Sequence, residues 1–120
     1  MKELIYVFLG GGVGSVLRYL ISSSTSKVWT YNQFPVGTFL VNILGCFTIG
    51  ILVSYFAKTD LNLRFLLITG FCGGFTTFST FASENVELYQ NGDFFTLFLY
   101  ITASLIIGFL AVIVGLQIFK

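Results

Sequence analysis

The 120-residue chain lacks histidine, contains one proline and has few charged side chains, which make up 9% of its residues. Without histidine it cannot form the imidazole sites on which most zinc, haem and acid–base chemistry depends. Soluble domains carry roughly 25% charged residues, so these charges cannot cover a water-facing surface. The composition therefore argues against a soluble domain, and we expect no enzymatic activity.

Apolar residues make up 56% of the chain and form long runs at residues 4–22, 36–57, 63–88 and 94–118. Runs of about 20 apolar residues span a bilayer as helices. We therefore predict an all-α membrane protein in which four transmembrane helices form a single domain over residues 1–120. A cleaved signal peptide is the alternative for the first run. Arg18 inside that run, and the lack of a clear small-residue cleavage pattern after it, argue against this alternative.

The chain has two cysteines, Cys46 and Cys72, and both fall inside apolar runs. Cysteines in such surroundings usually behave as small buried apolar side chains. We expect free thiols here rather than a disulfide.

Basic residues are divided four to two between the two sides of the predicted helices. One side has Lys2, Lys58, Arg64 and Lys120, and the other has Lys27 and Arg18. Membrane proteins are oriented by an excess of Lys and Arg on the cytoplasmic side. Because the excess here is small, insertion in one direction and insertion in both directions remain open.

The centre of the third run differs from a simple membrane helix. Three glycines (Gly70, Gly73 and Gly74) occur within five residues, and hydroxyl side chains follow at Thr76, Thr77, Ser79 and Thr80. Irregular backbone inside a bilayer is tolerated only where protein or a water-filled cavity covers it. We therefore predict that this helix is broken and exposes carbonyl and hydroxyl groups to something that crosses the membrane.

Other polar side chains inside the runs share helical faces. Thr38 and Asn42 are four residues apart, as are Tyr100 and Ser104, and Gly108 continues the second stripe without a polar group. Neutral amide and hydroxyl donors can solvate an anion. They can equally bond a neighbouring helix or their own backbone, so both roles remain open.

Two aromatic and two charged residues are further candidates. Phe78 and Phe81 are three residues apart, and the positive edges of their rings could contact an anion or simply pack. Arg18 either attracts anions into a vestibule or extends to the lipid headgroups. Glu84 either caps the interface or lines a pore mouth, and proton coupling is a more remote alternative.

The first run contains pairs of small residues at four-residue spacing, Gly10 with Gly14 and Gly11 with Ser15. This spacing favours close packing of membrane helices. It does not match a phosphate- or dinucleotide-binding loop, because the glycine spacing and the strand-to-helix context are missing.

Three motifs in this order resemble the CrcB/Fluc family of small fluoride channels. They are Gly-Gly-x-Gly-x-x-x-Arg ending at Arg18, Gly37-Thr38-x-x-x-Asn42, and Gly70-x-Cys72-Gly73-Gly74-x-Thr76-Thr77-Phe78-Ser79-Thr80-Phe81. The resemblance implies an antiparallel, dual-topology homodimer in the plasma membrane, specifically a prokaryotic inner membrane. It also implies two fluoride pathways along the dimer interface and no nucleic-acid partner.

The resemblance assigns a role to each candidate residue. The backbone carbonyls of Gly73 and Thr76 would hold a structural sodium ion at the dimer centre. Phe78 and Phe81 would supply ring edges, Asn42 an amide, and Arg18 and Glu84 the vestibule. The residues that would line the fluoride route are Thr38, Ser79, Thr80, Tyr100 and Ser104. The stripe that begins with the hydroxyls of Tyr100 and Ser104 has no third hydroxyl, because its next position is Gly108.

The implied function is passive, fluoride-selective conduction that lowers cytoplasmic fluoride. The alternative is a small four-helix multidrug exporter driven by proton exchange. Such an exporter needs a carboxylate within its first helix, where this chain has only Glu3 at the extreme terminus. A subunit without transport activity is a third alternative.

Overall fold

The computed structural model describes residues 1–28, 34–56 and 61–119, with the backbone alone for 26–28. The helical elements are α1 (Lys2–Val28), α2 (Val36–Tyr55), α3 (Leu61–Arg64), a π-helical segment (Phe65–Cys72), α4 (Gly73–Phe75), α5 (Phe78–Gln90) and α6 (Phe94–Ile118). Lys58, Lys120 and the side chain of Lys27, which entered the charge comparison, lie outside the described residues.

Four stretches of helix are long and apolar enough to cross a membrane: Lys2–Thr25, Val36–Tyr55, Leu61–Gln90 and Phe94–Ile118. The all-helical architecture and the four predicted spans are therefore confirmed. α1 continues to Val28, well past the predicted end at residue 22, because no proline or glycine interrupts the serine-rich stretch that follows.

The third span is broken, as the glycine cluster predicted. α4 ends at Phe75, and Thr76 and Thr77 adopt extended backbone angles (φ −85°, ψ 157° and φ −147°, ψ 118°) before α5 begins. The π-helical segment that precedes the break was not predicted. Its wider turns bring Gly70 against α1, where an added Cβ would lie 3.0 Å from the carbonyl oxygen of Val7.

α1 crosses the third span at backbone contact distance. An added Cβ would overlap the carbonyl oxygen of Leu66 if placed on Gly10, of Phe71 if placed on Gly14, and of Gly11 if placed on Gly74. The close packing predicted from the small-residue spacing is confirmed, and it fixes α1 directly beside the break.

α2 and α6 form a second closely packed pair. An added Cβ on Gly50 would overlap the carbonyl oxygen of Val112, and one on Gly115 would overlap that of Phe47. α5 also packs on α6. The break is therefore enclosed on one side by α1 and on the other by the α2–α6 pair.

The connection between α5 and α6 is a turn at Asn91-Gly92-Asp93. Gly92 has a φ of +76°, which favours glycine. Asp93 Oδ1 accepts a hydrogen bond from Thr96 N at 3.2 Å and so caps α6. This tight turn places α5 antiparallel to α6.

The crossing of α1 provides a test of the fold with a matched control. Gly14→Ala should lower the free energy of unfolding by about 1–3 kcal/mol, because the methyl group overlaps the backbone of Phe71. Gly12→Ala, on the same helix, should have no destabilising effect, because an added Cβ there meets nothing within 4 Å. Thermal unfolding in detergent measures both. Equal unfolding midpoints for the two variants would contradict the crossing.

Candidate functional site

Asn42 on α2 bridges the break in the third span. Its Nδ2 donates to Thr77 O at 3.1 Å, and its Oδ1 accepts from Thr77 N at 2.8 Å. Paired residues of antiparallel strands exchange the same two bonds, so the side-chain amide acts here as a substitute backbone. Asn42 thus satisfies both polar backbone groups of Thr77, which a bilayer would otherwise leave unpaired.

Thr77 also starts α5. Its Oγ1 accepts a hydrogen bond from Thr80 N at 3.3 Å and donates to Thr80 Oγ1 at 3.1 Å. Threonine is a favoured residue at a helix N-cap because its hydroxyl satisfies one of the free N–H groups of the first turn. Thr77 belongs to the third of the three motifs that carry the family resemblance, but no sequence pattern assigned it a separate role.

These bonds release two carbonyl groups from the helix. In a continuous α-helix, Gly73 O would accept from Thr77 N and Thr76 O from Thr80 N. Thr77 N instead donates to Asn42, and Thr80 N donates to the Thr77 hydroxyl. The space beside Gly73 is open, because an added Cβ there would meet nothing within 4 Å. The hydrogen bonds that Gly73 O and Thr76 O would accept in a continuous helix are therefore diverted to side chains.

Arg18 and Ser15 on α1 donate to the carbonyl of Gly74, which lies between Gly73 and Thr76 in the sequence. Gly74 O accepts from Arg18 Nε at 3.1 Å and from Ser15 Oγ at 3.4 Å. In a continuous helix Gly74 O would accept from Phe78 N, so α1 replaces another bond lost at the break. The structure places Arg18 against the break, with part of its donor capacity used there.

A second hydrogen-bonded cluster is centred on Glu84. Thr38 Oγ1 donates to Glu84 Oε2 at 2.9 Å, and Tyr100 OH donates to Glu84 Oε1 at 2.9 Å. Thr38 and Tyr100 are buried. The cluster links α2, α5 and α6. The hydroxyls of Thr38 and Tyr100, which were predicted to line an ion route, donate here to the Glu84 carboxylate. Glu84 also lines a cavity of about 360 Å³ with Pro35, Glu87, Leu88 and Asn91.

The two candidate phenylalanines form a connected aromatic group. Phe78 is 79% exposed, and its ring centroid lies 5.9 Å from that of Phe81. The Phe81 ring in turn lies 4.9 Å from the Tyr100 ring at an interplanar angle of 56°. The Phe81 ring therefore packs against α6, whereas most of the Phe78 ring is exposed.

An open groove of about 520 Å³ runs past the break. Its predicted site residues are Asn42, Gly73, Thr76, Phe78, Phe81 and Ser104, and its remaining lining is Gly45, Cys46, Ile49, Ile68, Thr69, Cys72, Thr77, Leu105, Gly108 and Phe109. The other predicted site residues, which are Arg18, Thr38, Ser79, Thr80, Glu84 and Tyr100, lie outside this lining. The groove thus brings together about half of the sequence-predicted residues at one surface.

Asn85 is a buried polar residue that the sequence analysis missed. Its Nδ2 donates to Phe81 O at 2.9 Å, and within the described residues its buried Oδ1 has no hydrogen-bond partner. A polar residue within an apolar run was the available signal. Asn85 follows Phe81 by one helical turn and supports the backbone on which that ring is carried.

The chain matches the family model described as "CrcB-like protein, Camphor Resistance (CrcB)" over residues 5–116. It is 48% identical over 118 residues to the fluoride-specific ion channel FluC of Azobacteroides pseudotrichonymphae, covering 96% of this chain and 94% of the relative. It is also 48% identical over 118 residues to the protein of the same name from Phocaeicola vulgatus, covering 97% of each chain.

A third relative of that name, from Flavobacterium psychrophilum, is 46% identical over 123 residues, covering 100% of this chain and 98% of the relative. The matched lengths, which cover 96–100% of this chain, extend over the four spans and the break. On the family match and these identities, the chain belongs to the CrcB family.

Proposed function

We propose that the chain is a fluoride-selective channel of the cell membrane that conducts the ion passively and so lowers cytoplasmic fluoride. The proposal rests on relatives named as fluoride-specific ion channels that cover nearly the whole chain. The structural observation that carries it is the groove at the break, where neutral donors and aromatic rings face a common space. Passive conduction requires no enzymatic step.

Fluoride is small and strongly hydrated, so a narrow route must replace its water shell with oriented donors. Asn42 has two amide hydrogens, and the bond to Thr77 O uses one of them. The second amide hydrogen, the Ser104 hydroxyl and the positive ring edges of Phe78 and Phe81 remain as contacts for the ion. None of these groups carries a formal charge, which favours binding weak enough for release.

The groove becomes an enclosed pathway if a second copy covers it. We infer an antiparallel homodimer because the excess of basic residues on one side, four against two, is small enough to permit insertion in both directions. A two-fold axis uses the same surface twice, so each dimer contains two equivalent grooves. The exposed ring of Phe78 and the open space beside Gly73 are features that a partner surface would cover.

The dimer centre suits a structural sodium ion. The carbonyls of Gly73 and Thr76 are released from helical bonding, and two chains would together present four such oxygens. Carbonyl oxygens suit hard cations. Within the described ranges, no group of three cysteine or acidic side chains could hold a metal, so backbone oxygens are the appropriate ligands.

The residues outside the groove lining extend the proposed route at its ends. Thr38, Tyr100 and Glu84 form one hydrogen-bonded mouth of the route. To contact the ion, the hydroxyls of Thr38 and Tyr100 must break their bonds to Glu84 and donate to the ion instead. Ser79 and Thr80 lie at the start of α5 beside Thr77. Arg18 supplies the vestibule charge from α1.

The proton-coupled exporter is not supported. The relatives carry the name of a fluoride channel, and Glu3 is paired at 3.4 Å with the N-terminal amine in an exposed position. A carboxylate at that position does not form the membrane-embedded site that such an exporter requires.

The primary test is fluoride release from proteoliposomes containing the purified protein. An ion-selective electrode should record fluoride release that greatly exceeds chloride release under the same gradient. Empty liposomes provide the control. Equal release of the two anions would contradict selectivity, and no release of either would contradict channel function.

The ring-edge contacts can be tested by substitution. Phe78→Ile or Phe81→Ile should reduce fluoride flux by about two- to tenfold, because each removes an aromatic contact of roughly 0.5–1.5 kcal/mol. Phe95→Ile is the matched control, because Phe95 is 78% exposed, like Phe78 at 79%, but lies on α6 outside the groove lining. Unchanged flux in both groove variants would exclude the role of the rings.

Native mass spectrometry in sodium buffer tests whether the protein is a dimer and whether that dimer carries a sodium ion. In sodium buffer we expect a dimer that carries one sodium ion per two chains. A monomer would overturn the dimer, whereas a dimer without sodium would overturn the metal site alone.

A terminal tag should also be accessible from both faces of the membrane; accessibility from one face would contradict antiparallel pairing.

A further inference from the structure

A thiol lies beside Gly108 in the lining of the groove. Ser104 and Gly108 are four residues apart on α6, and both line the groove. A Cβ placed on Gly108 would lie 3.5 Å from Cys46 Sγ and 3.9 Å from Ile43 Cδ1, which is ordinary contact distance. Cys46, on α2, therefore lies where a side chain of residue 108 would otherwise face the groove.

The two groove-lining thiols differ in their exposure. Cys46 and Cys72 are both free, but Cys72 is 2% exposed whereas Cys46 is half-buried. A thiol is a weak hydrogen-bond donor, and its sulfur is larger and softer than a hydroxyl oxygen. Cys46 can therefore present a neutral donor to the groove beside Gly108, where α6 has no side chain.

We propose that Cys46 contacts the conducted ion and tunes the rate and selectivity of conduction in this chain. The α2 thiol provides the polar contact that α6 does not provide at Gly108. It continues the line of neutral donors that begins at Asn42, one helical turn earlier on α2, and Ser104, one turn earlier on α6. The proposal rests on the fluoride-channel function proposed above.

The test compares three variants of the full-length protein in the proteoliposome assay. Cys46→Ala should reduce fluoride flux by about two- to tenfold, the loss expected for one hydrogen bond of roughly 0.5–1.5 kcal/mol. Cys46→Ser should retain at least the wild-type flux, because a hydroxyl is the stronger donor. Gly108→Ser added to Cys46→Ala should restore flux, because it supplies a donor to the same space from α6.

Thr48→Ala is the control, because Thr48 lies on α2 but outside the groove lining, and it should leave the fluoride-to-chloride ratio unchanged. Unfolding midpoints of all variants show whether a loss of flux comes from a loss of structure. If Cys46→Ala does not fold, Cys46→Val removes the donor without leaving a cavity and should show the same reduction.

Three results would overturn the proposal: full flux in the variant without the donor, equal loss in the serine and alanine variants, or no restoration by Gly108→Ser. Equal loss would identify Cys46 as a packing residue. Wild-type protein that conducts no fluoride would instead overturn the proposed function itself, so the two failures are distinguishable.

Discussion

The two hydrogen bonds between the Asn42 amide and the Thr77 backbone are the contact on which the site depends. An unpaired backbone group inside a bilayer costs several kcal/mol, so a helix cannot break there without a substitute partner. Asn42 supplies that partner for both groups of Thr77. By taking the Thr77 N–H it frees the Gly73 carbonyl, and the Thr77 hydroxyl frees the Thr76 carbonyl in the same way. Asn42 therefore permits the break and diverts the bond that the Gly73 oxygen would accept, and the Thr77 hydroxyl diverts the bond that the Thr76 oxygen would accept.

The break is fixed from its other side by α1. The glycines of α1 allow backbone contact with the third span, and this approach brings Arg18 and Ser15 within hydrogen-bonding distance of Gly74 O. Because α1 and α2 hold consecutive parts of the same irregular segment, its carbonyls have defined directions rather than the freedom of a loop. Such rigidity favours an ion site, since oxygens already in position need no further ordering when an ion binds.

The sequence predicted the features that depend on neighbouring residues. Apolar run length gave the four spans, and the cluster of Gly70, Gly73 and Gly74 gave the break. The bonds of Glu84 to Thr38 and Tyr100 join residues 46 and 16 positions apart, and no local pattern specifies which hydroxyl meets which carboxylate oxygen. The π-helical segment was missed for a related reason, because its apolar sequence equally fits an α-helix and close contact with α1 is a tertiary effect. The predicted ion roles of individual residues stay predictions.

The structure divides the polar groups of the membrane-spanning region into two sets. The hydroxyls of Thr38 and Tyr100 serve the Glu84 carboxylate, and that carboxylate lies outside the lining of the groove. The groove itself retains Ser104, Cys46, one amide hydrogen of Asn42 and the edges of two rings, all of them neutral. An anion there would meet neither a cation strong enough to trap it nor a carboxylate that repels it at contact. If conduction requires binding sites that the ion can leave as readily as it enters, a groove lined by neutral donors meets that requirement, with the Glu84 carboxylate confined to one mouth of the proposed route.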